Sequence, residues 1–263
     1  MSDGKWMPWT RCVWATADKR VACVSSTSAA APLWAIAFSP QGNWAQVPAA
    51  QTQAMLRQWL ARWGRPLQMR VDNGTPWGSS DDVPTPLALW LVGLGILMHW
   101  NDPHCPQQNG VVERSMGTFK DWSDPRTCPS VAHWQERLDR EERVYREEYP
   151  TDSGVSRWGR WPGLRHSGRN YSVRWEQRQW SLRAALEHMA DYTLQRTVSG
   201  NGRLSLFNRS YYAGKALAGR VVQVYLNPQT VEWVVMDAYS AAQLRSFPAD
   251  TLTRKNIVER LDL

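Results

Sequence analysis

The stretch RVDNGTPWG, residues 70–78, decides our interpretation of the fold, because it places an acid at the end of a predicted buried strand. Apolar residues over 67–71 predict a short strand that runs directly into Asp72. In α/β proteins, functional sites form where strands end at the mouth of the sheet. Asp-Asn-Gly after a strand is also typical of an ordinary turn. The stretch therefore needs a second element before it indicates a site.

The second element is PHCPQQNGVVERSMGTFK, residues 103–120. A proline-rich loop leads here into a predicted helix over 110–122, and Glu113 lies one turn inside that helix. Taken alone, a glutamate in a first turn is explained by its favourable interaction with the helix dipole. Glu113 follows Asp72 by 41 residues, and this pairing of the two stretches makes both acids candidates for one site.

Together the two stretches resemble the DDE transposase and retroviral-integrase family, whose motifs are approximately DNGxxF/W and PxxPQxNGxxER. The resemblance covers about residues 20–150. It implies an α/β ribonuclease-H-like core, with a mixed five-stranded sheet and helices, and a site of three carboxylates. It also implies that Asp72 and Glu113 are catalytic metal ligands for Mg²⁺ or Mn²⁺, which favour hard oxygen ligands. Lys120 would face the DNA, although an ordinary solvated lysine explains it equally well.

The chain departs from this family at the first acid. The family places that aspartate in the opening strand, often just after a tryptophan, whereas Trp9 stands at this place in residues 6–9. No Asp or Glu occurs between Asp3 and Asp18. Asp18 is a weak third candidate, because residues 17–19 indicate a turn from which it would point away from the other carboxylates. We therefore expect an impaired two-metal site.

A basic segment separates two predicted domains, a core at 1–150 and a second domain at 184–263. Residues 151–183 hold seven Arg, two acids and four Trp, and we predict an irregular linker. Arginine forks bind phosphate and tryptophan stacks on bases. The predicted DNA-binding residues of the linker are Arg157, Arg160, Arg165, Arg169 and Arg174. Alternatively, the tryptophans pack the linker onto the domains and the arginines are merely solvated.

The second domain is rich in short predicted strands, at 193–198, 203–207, 221–226 and 232–237. This spacing predicts a small β-barrel, and the stretch over 200–237 resembles the barrel that follows the core in bacteriophage Mu-like transposases. The chain begins almost directly at the core, so we expect no helix-turn-helix region before it. With the missing acid, this favours a truncated or repurposed relative.

Composition limits the other classes of protein. The 263 residues carry a formal charge of +7 and are 43% apolar, which is typical of a globular protein with a polyanionic partner. The longest apolar run, over 87–98, is too short to span a membrane. Four Cys without CxxC spacing indicate reduced thiols in a cytoplasmic protein. The resemblance to transposases implies that this is a bacterial, nucleoid-associated protein. His104 and Cys105 are weak metal candidates, and no P-loop, GxSxG or GxGxxG motif occurs.

Two functional hypotheses remain, with a decaying relative of no retained role as a third. In the first, the chain is an active transposase or integrase that uses Asp72, Glu113 and a non-standard third acid with Mg²⁺. In the second, which we favour, it binds double-stranded DNA with little or no catalysis. The resemblance also implies a homo-oligomer or a complex with another transposition subunit, and no membrane partner.

Overall fold

The computed structural model describes residues 49–71, 73, 76–78, 84–102, 118–119, 121–207 and 209–259, and the backbone of 16–18. The helices are α1 (Ala49–Trp63), α2 (Pro86–Gly93), α3 (Val131–Glu147), α4 (Arg157–Arg160), α5 (Val173–Gln179) and α6 (Leu182–Ala190). The strands are β1 (Thr16–Asp18), β2 (Gln68–Val71), β3 (Leu97–Trp100), β4 (Leu194–Thr197), β5 (Arg203–Leu206), β6 (Arg209–Tyr212), β7 (Val221–Asn227), β8 (Glu232–Asp237) and β9 (Gln243–Pro248).

The described residues form two compact units. The first unit consists of the described residues up to 77 and those from 96 to 179. The second unit consists of the described residues from 78 to 95 and from 180 to 259. The basic segment up to residue 179 therefore belongs to the first unit, and the segment that holds α2 belongs to the second. No helix among the described residues is both long and apolar enough to span a bilayer.

The first unit contains a three-stranded sheet in the order β1-β2-β3. Strand β2 alternates, with Met69 and Val71 buried, as a strand with one covered face requires. It runs parallel to β3, with Gln68 opposite Leu97 and Val71 opposite Trp100. The strand predicted at 67–71 is confirmed. Short apolar runs also predict strands at 20–27, 33–38 and 96–100. The last is confirmed as β3, and the first two lie outside the described residues.

The apolar residues of 49–63 recur at helical spacing and predict a helix with one apolar face that ends at Gly64. Helix α1 confirms this face. Its buried side chains include Leu56, Trp59, Leu60 and Trp63. Gly64 ends the helix, as the sequence predicted, because its φ of +76° belongs to the left-handed region that glycine adopts at low cost. The Gly64 amide donates to the Leu60 carbonyl at 2.9 Å and completes this C-cap.

Helix α3 builds the other half of the first core. Ser130 caps it by accepting from the His133 amide at 3.2 Å. Its predicted apolar stripe is buried at Trp134, Leu138 and Tyr145, which pack with Phe119 and the free thiol Cys128. The other three cysteines lie outside the part of the chain that the structure describes.

In the second unit, α2 is buried on nearly all sides. Thr85 caps it, Pro86 begins it, and Leu87, Leu91 and Trp90 are fully covered. Trp180 donates its indole N–H to the Trp90 carbonyl at 2.9 Å. Helix α6 packs against α2, and the predicted helix at 181–192 is confirmed over this shorter span.

The strands of the second unit form a four-stranded antiparallel sheet, β4-β7-β8-β9, and a separate hairpin, β5-β6. Four of these strands were predicted, whereas β6 and β9 were not. Among the described residues, backbone pairing does not close the sheet into a barrel. The hairpin contacts the sheet through side chains: the Tyr211 and Phe247 rings lie 5.2 Å apart, and Arg245 donates to the Ala213 carbonyl.

A substitution at Gly64 tests the close packing of the end of α1 against residues 166–169. A Cβ at this position would lie 2.3 Å from Ser167 Oγ and 2.9 Å from the Arg169 carbonyl oxygen. We expect Gly64→Ala to lower the free energy of unfolding by more than about 1 kcal/mol, since both the backbone conformation and the contact resist the methyl group. Urea denaturation measures the loss.

Gly168 is the matched control for this substitution. Its φ is +80°, but a Cβ there would meet nothing within 4 Å. Gly168→Ala therefore contributes only the conformational part of the loss. Equal losses for the two variants would contradict the close approach at Gly64.

Candidate functional site

The carboxyl ends of β2 and β3 lie side by side and are tied together by two hydrogen bonds. The Asn101 amide donates to the Val71 carbonyl at 3.1 Å. The side-chain amide of Asn73 donates in turn to the Asn101 carbonyl at 2.8 Å. The residue that follows Asp72 is therefore fixed to the point where the chain leaves β3.

A third bond holds the far end of the same loop. The indole of Trp100, at the end of β3, donates to the Trp77 carbonyl at 3.2 Å. The place of Trp77, just after Asp-Asn-Gly, is compatible with packing in the core or with the border of a DNA channel. Its side chain is buried. The burial favours the packing interpretation.

The predicted acids lie just beyond the described residues of this edge. Asp72 and Glu113, together with Lys120, His104 and Cys105, are outside the described residues. The chain enters the Asp72 position from the end of β2, and it leaves β3 through Asn101 and Asp102 toward the stretch that holds Glu113. The last described residues before the two predicted acids, Val71 and Asp102, thus lie at or just after the carboxyl ends of one parallel strand pair. Among the described residues, no group of three or more His, Cys, Asp or Glu could hold a metal ion.

Asp18 lies beside the start of β2, whereas Asp72 follows the end of that strand in the sequence. The sequence predicted a turn at residues 17–19, but Ala17 and Asp18 belong to strand β1. Strand β1 runs antiparallel to β2 and pairs Asp18 with Gln68, the first residue of β2. Gln68 precedes Val71 by three residues, which is about 10 Å along a strand. The backbone of Asp18 therefore lies toward the opposite end of β2 from the Asp72 position.

The basic segment is more ordered than the irregular linker that the sequence predicted. It contains α4, a 3₁₀ turn over Pro162–Leu164 and α5. Serine caps start both helices: Ser156 accepts from the Gly159 amide at 3.2 Å, and Ser172 accepts from the Trp175 amide at 3.1 Å. Of the glycines of this segment, Gly159 lies in α4 and Gly163 in the 3₁₀ turn, whereas Gly154 and Gly168 lie outside the helices and have positive φ.

Arg157 fastens α4 to helix α3. Its guanidinium carbon lies 3.6 Å from the centre of the Tyr145 ring, and Nη1 donates to the Tyr145 carbonyl at 3.1 Å. This is a cation–π contact combined with a hydrogen bond. Burial lowers the pKa of Arg157. Arg157 is thus engaged in packing, although the sequence predicted that it binds DNA.

Next to this contact, α3 buries the ion pair Glu142–Arg146. Arg146 Nη1 lies 2.6 Å from Glu142 Oε1, and both side chains are about 95% or more buried. The Arg146 guanidinium also lies 4.3 Å from the centre of the Trp63 ring and 5.6 Å from that of Trp158. Burial raises the pKa of the Glu142 carboxyl to about 7, although Arg146 and Arg62 oppose the shift.

Helix α5 is fastened to α1 by a second buried carboxylate. Arg57 Nη2 donates to Glu176 Oε1 at 2.7 Å, and the Tyr171 hydroxyl donates to Glu176 Oε2. The Glu176 side chain is 3% exposed and that of Arg57 is 17% exposed. Burial is the largest cause that raises the pKa of Tyr171, followed by its bond to Glu176.

Arg65 and Arg169 complete this attachment at the end of α1. The Arg65 guanidinium stacks 3.6 Å from the centre of the Trp175 ring. The Arg65 amide donates to the Arg169 carbonyl at 2.7 Å, and the Arg169 side chain donates to the Pro66 carbonyl. The segment is therefore bound to α1 by backbone and side-chain contacts.

The five predicted DNA-binding arginines consequently occupy three environments. Arg157 and Arg169 donate to backbone carbonyls, and Arg160 pairs with Asp152. Arg165 and Arg174 are exposed, with Arg165 near the Trp158 ring. Contact with DNA stays a prediction for all five.

Sequence reasoning missed the buried charges Glu142 and Arg146. A signal was present, because they lie eight and twelve residues after Trp134 and so continue the buried face of α3. Charged residues are seldom buried unless they are paired, so their residue type argued against the burial that their helical spacing indicated.

Comparisons with known proteins leave the family open. No protein-family model matches the chain. Among solved structures, the chain is similar to one described as the cryoEM structure of the simian T-cell lymphotropic virus intasome in complex with PP2A regulatory subunit B56 gamma. The two are 16% identical, with a TM-score of 0.35, over 77% of this chain and 63% of that chain. The chain thus spans less than two thirds of the solved chain that it matches.

The Glu142–Arg146 pair predicts a pH dependence of stability. Because the folded-state pKa of about 7 exceeds the usual value of about 4.3, the folded protein retains a proton that the unfolded chain releases. The free energy of unfolding should fall as the pH rises from about 4.5 to about 7, on the order of 2–3 kcal/mol from this group. Urea denaturation across this pH range measures it.

Glu142→Gln should remove this part of the pH dependence. Glu136→Gln is the control, since Glu136 is exposed on the same helix. If the wild type and Glu142→Gln gave parallel pH profiles of stability, the buried carboxyl would not be the source.

Proposed function

We propose that the chain is a DNA-binding relative of DDE transposases and retroviral integrases whose Mg²⁺-dependent site for DNA cleavage and strand transfer is impaired. The observation that carries the proposal is the pair of motifs, Asp-Asn-Gly at the end of β2 and the PxxPQxNGxxER-like stretch that follows β3. Val71 and Trp100, which precede the two motifs in the chain, lie opposite each other at the carboxyl ends of a parallel strand pair.

A ribonuclease-H-like core is part of this proposal. The parallel pairing of β2 and β3 supports it, because parallel neighbours need a crossover connection, and here the connection contains helix α2. The bonds from Asn73 and Trp100 support a loop held in a fixed position at the end of β2. A small barrel in the second unit remains part of the proposal as well, on the basis of its short antiparallel strands.

The proposed impairment follows from the number of acids. Clustered carboxylates repel one another unless divalent cations neutralise them, and a bound pair of Mg²⁺ ions would activate a water or a DNA 3′-hydroxyl. Asp72 and Glu113 would hold such an ion. Asp18 is a poor third ligand, because its backbone pairs with the opposite end of β2. Two acids would hold one cation weakly.

An active enzyme is the second candidate function, and one observation favours it. Asp102 lies two residues after Trp100, at the same strand edge where β2 leads into Asp72. Its side chain is exposed. In an active enzyme, Asp102 is therefore a better-placed non-standard third acid than Asp18.

DNA cleavage in the presence of Mg²⁺ or Mn²⁺ tests these candidates. The substrate is supercoiled plasmid, and the products are nicked circles and joined strands. We expect the wild type, Asp72→Asn, Glu113→Gln and Asp102→Asn all to give background levels. Nicking by the wild type that disappears in Glu113→Gln would reject the impaired site, and its loss in Asp102→Asn would identify the third acid.

Duplex binding at several salt concentrations tests the other half of the proposal. The affinity should fall as salt rises, because arginines that neutralise phosphates release counterions. Absence of duplex binding, or an affinity that is indifferent to salt, would overturn the proposed DNA-binding function whatever the cleavage result.

A further inference from the structure

The exposed side of α5 carries two arginines, and the one acid of this helix, Glu176, does not lie on that side. Arg174 and Arg178 are separated by four residues, so they lie one above the other on the helix surface. Both side chains are exposed, as is Gln177 between them. Arg178 was not among the predicted DNA-binding residues.

The acid of this helix is turned inward. Glu176 is buried against Arg57 and Tyr171, and its charge is opposed by the Arg57 guanidinium 2.7 Å away. The exposed side therefore keeps its two positive charges, whereas the Glu176 charge on the buried side is compensated by Arg57. Like charges four residues apart on a helix oppose one another and lower helix stability. Such a pair is explained when an anionic partner neutralises it.

The firm attachment of α5 to α1 favours recognition of an extended charged surface. The helix is attached to α1 on its buried side by the Arg57–Glu176 pair, and Arg65 stacks on the Trp175 ring at 3.6 Å. Its two exposed guanidinium groups are therefore presented from a fixed backbone. A fixed surface loses less conformational freedom on binding than a mobile segment does.

We propose that this exposed side of α5, formed by Arg174 and Arg178, docks on the phosphate backbone of duplex DNA. The inference rests on the DNA binding proposed above and assigns that binding to a specific surface. Duplex DNA matches the surface by charge, since it presents one negative charge per strand about every 3.4 Å along its axis. Such contacts position the protein on DNA and carry no sequence information.

The test is fluorescence anisotropy of a labelled duplex, titrated with the full chain at several salt concentrations. In Arg174→Gln/Arg178→Gln, the slope of log affinity against log salt should become shallower by about 1.8, which corresponds to two phosphate contacts. Affinity at low salt should fall as well, equally for duplexes of unrelated sequence. Urea denaturation should show no loss of stability, because the change removes a repulsion.

Arg140→Gln/Arg143→Gln is the matched control. It removes the same charge from exposed positions of α3, where Arg140 pairs with Glu141 and Arg143 pairs with Glu147 and Glu148. We expect the wild-type slope for this control. If the wild type bound DNA and both double variants kept its slope, the α5 surface would be rejected while the proposed function survived. If the wild type did not bind duplex DNA, the proposed function itself would fail.

Discussion

Two buried carboxylates, each bonded to an arginine, determine how the basic segment is attached to the first unit. Glu176 accepts hydrogen bonds from Arg57 of α1 and from the Tyr171 hydroxyl, so α5 is fixed to α1. Glu142 receives Arg146, whose guanidinium lies beside the Trp63 and Trp158 rings. Removal of one partner would leave a buried charge without compensation, which is far more costly than the loss of an exposed pair.

These attachments divide the arginines of one segment by function. The side chains of Arg157 and Arg169 donate hydrogen bonds to carbonyl oxygens of the protein itself. Those of Arg165, Arg174 and Arg178 are exposed. The positive charge of the segment is therefore only in part available at the protein surface. A count of arginines overestimates the number that can contact phosphate, because guanidinium groups also pack well against aromatic rings.

The sequence was informative where structure is local. The periodicity over 49–63 and the glycine after it predicted α1 and its cap, and the short apolar runs predicted β2 and β3. It failed where structure depends on distant contacts. The pairing of Asp18 with Gln68 is a matter of strand register, and the burial of Glu176 depends on Arg57, 119 residues away. For the candidate site, the motifs predicted two acids, and the structure adds the strand edge and the bonds of Asn73 and Trp100 that bound it.

The proposed DNA contact of α5 depends most on the division between packed and exposed arginines. Nitrogen-15 spectra of the arginine side chains, recorded during titration with duplex DNA, observe each guanidinium group separately. The signals of Arg174 and Arg178 should shift with added DNA, whereas those of Arg57 and Arg146 should keep their positions and exchange slowly with water. Shifts confined to the packed arginines, or fast exchange of their protons in the free protein, would contradict the account.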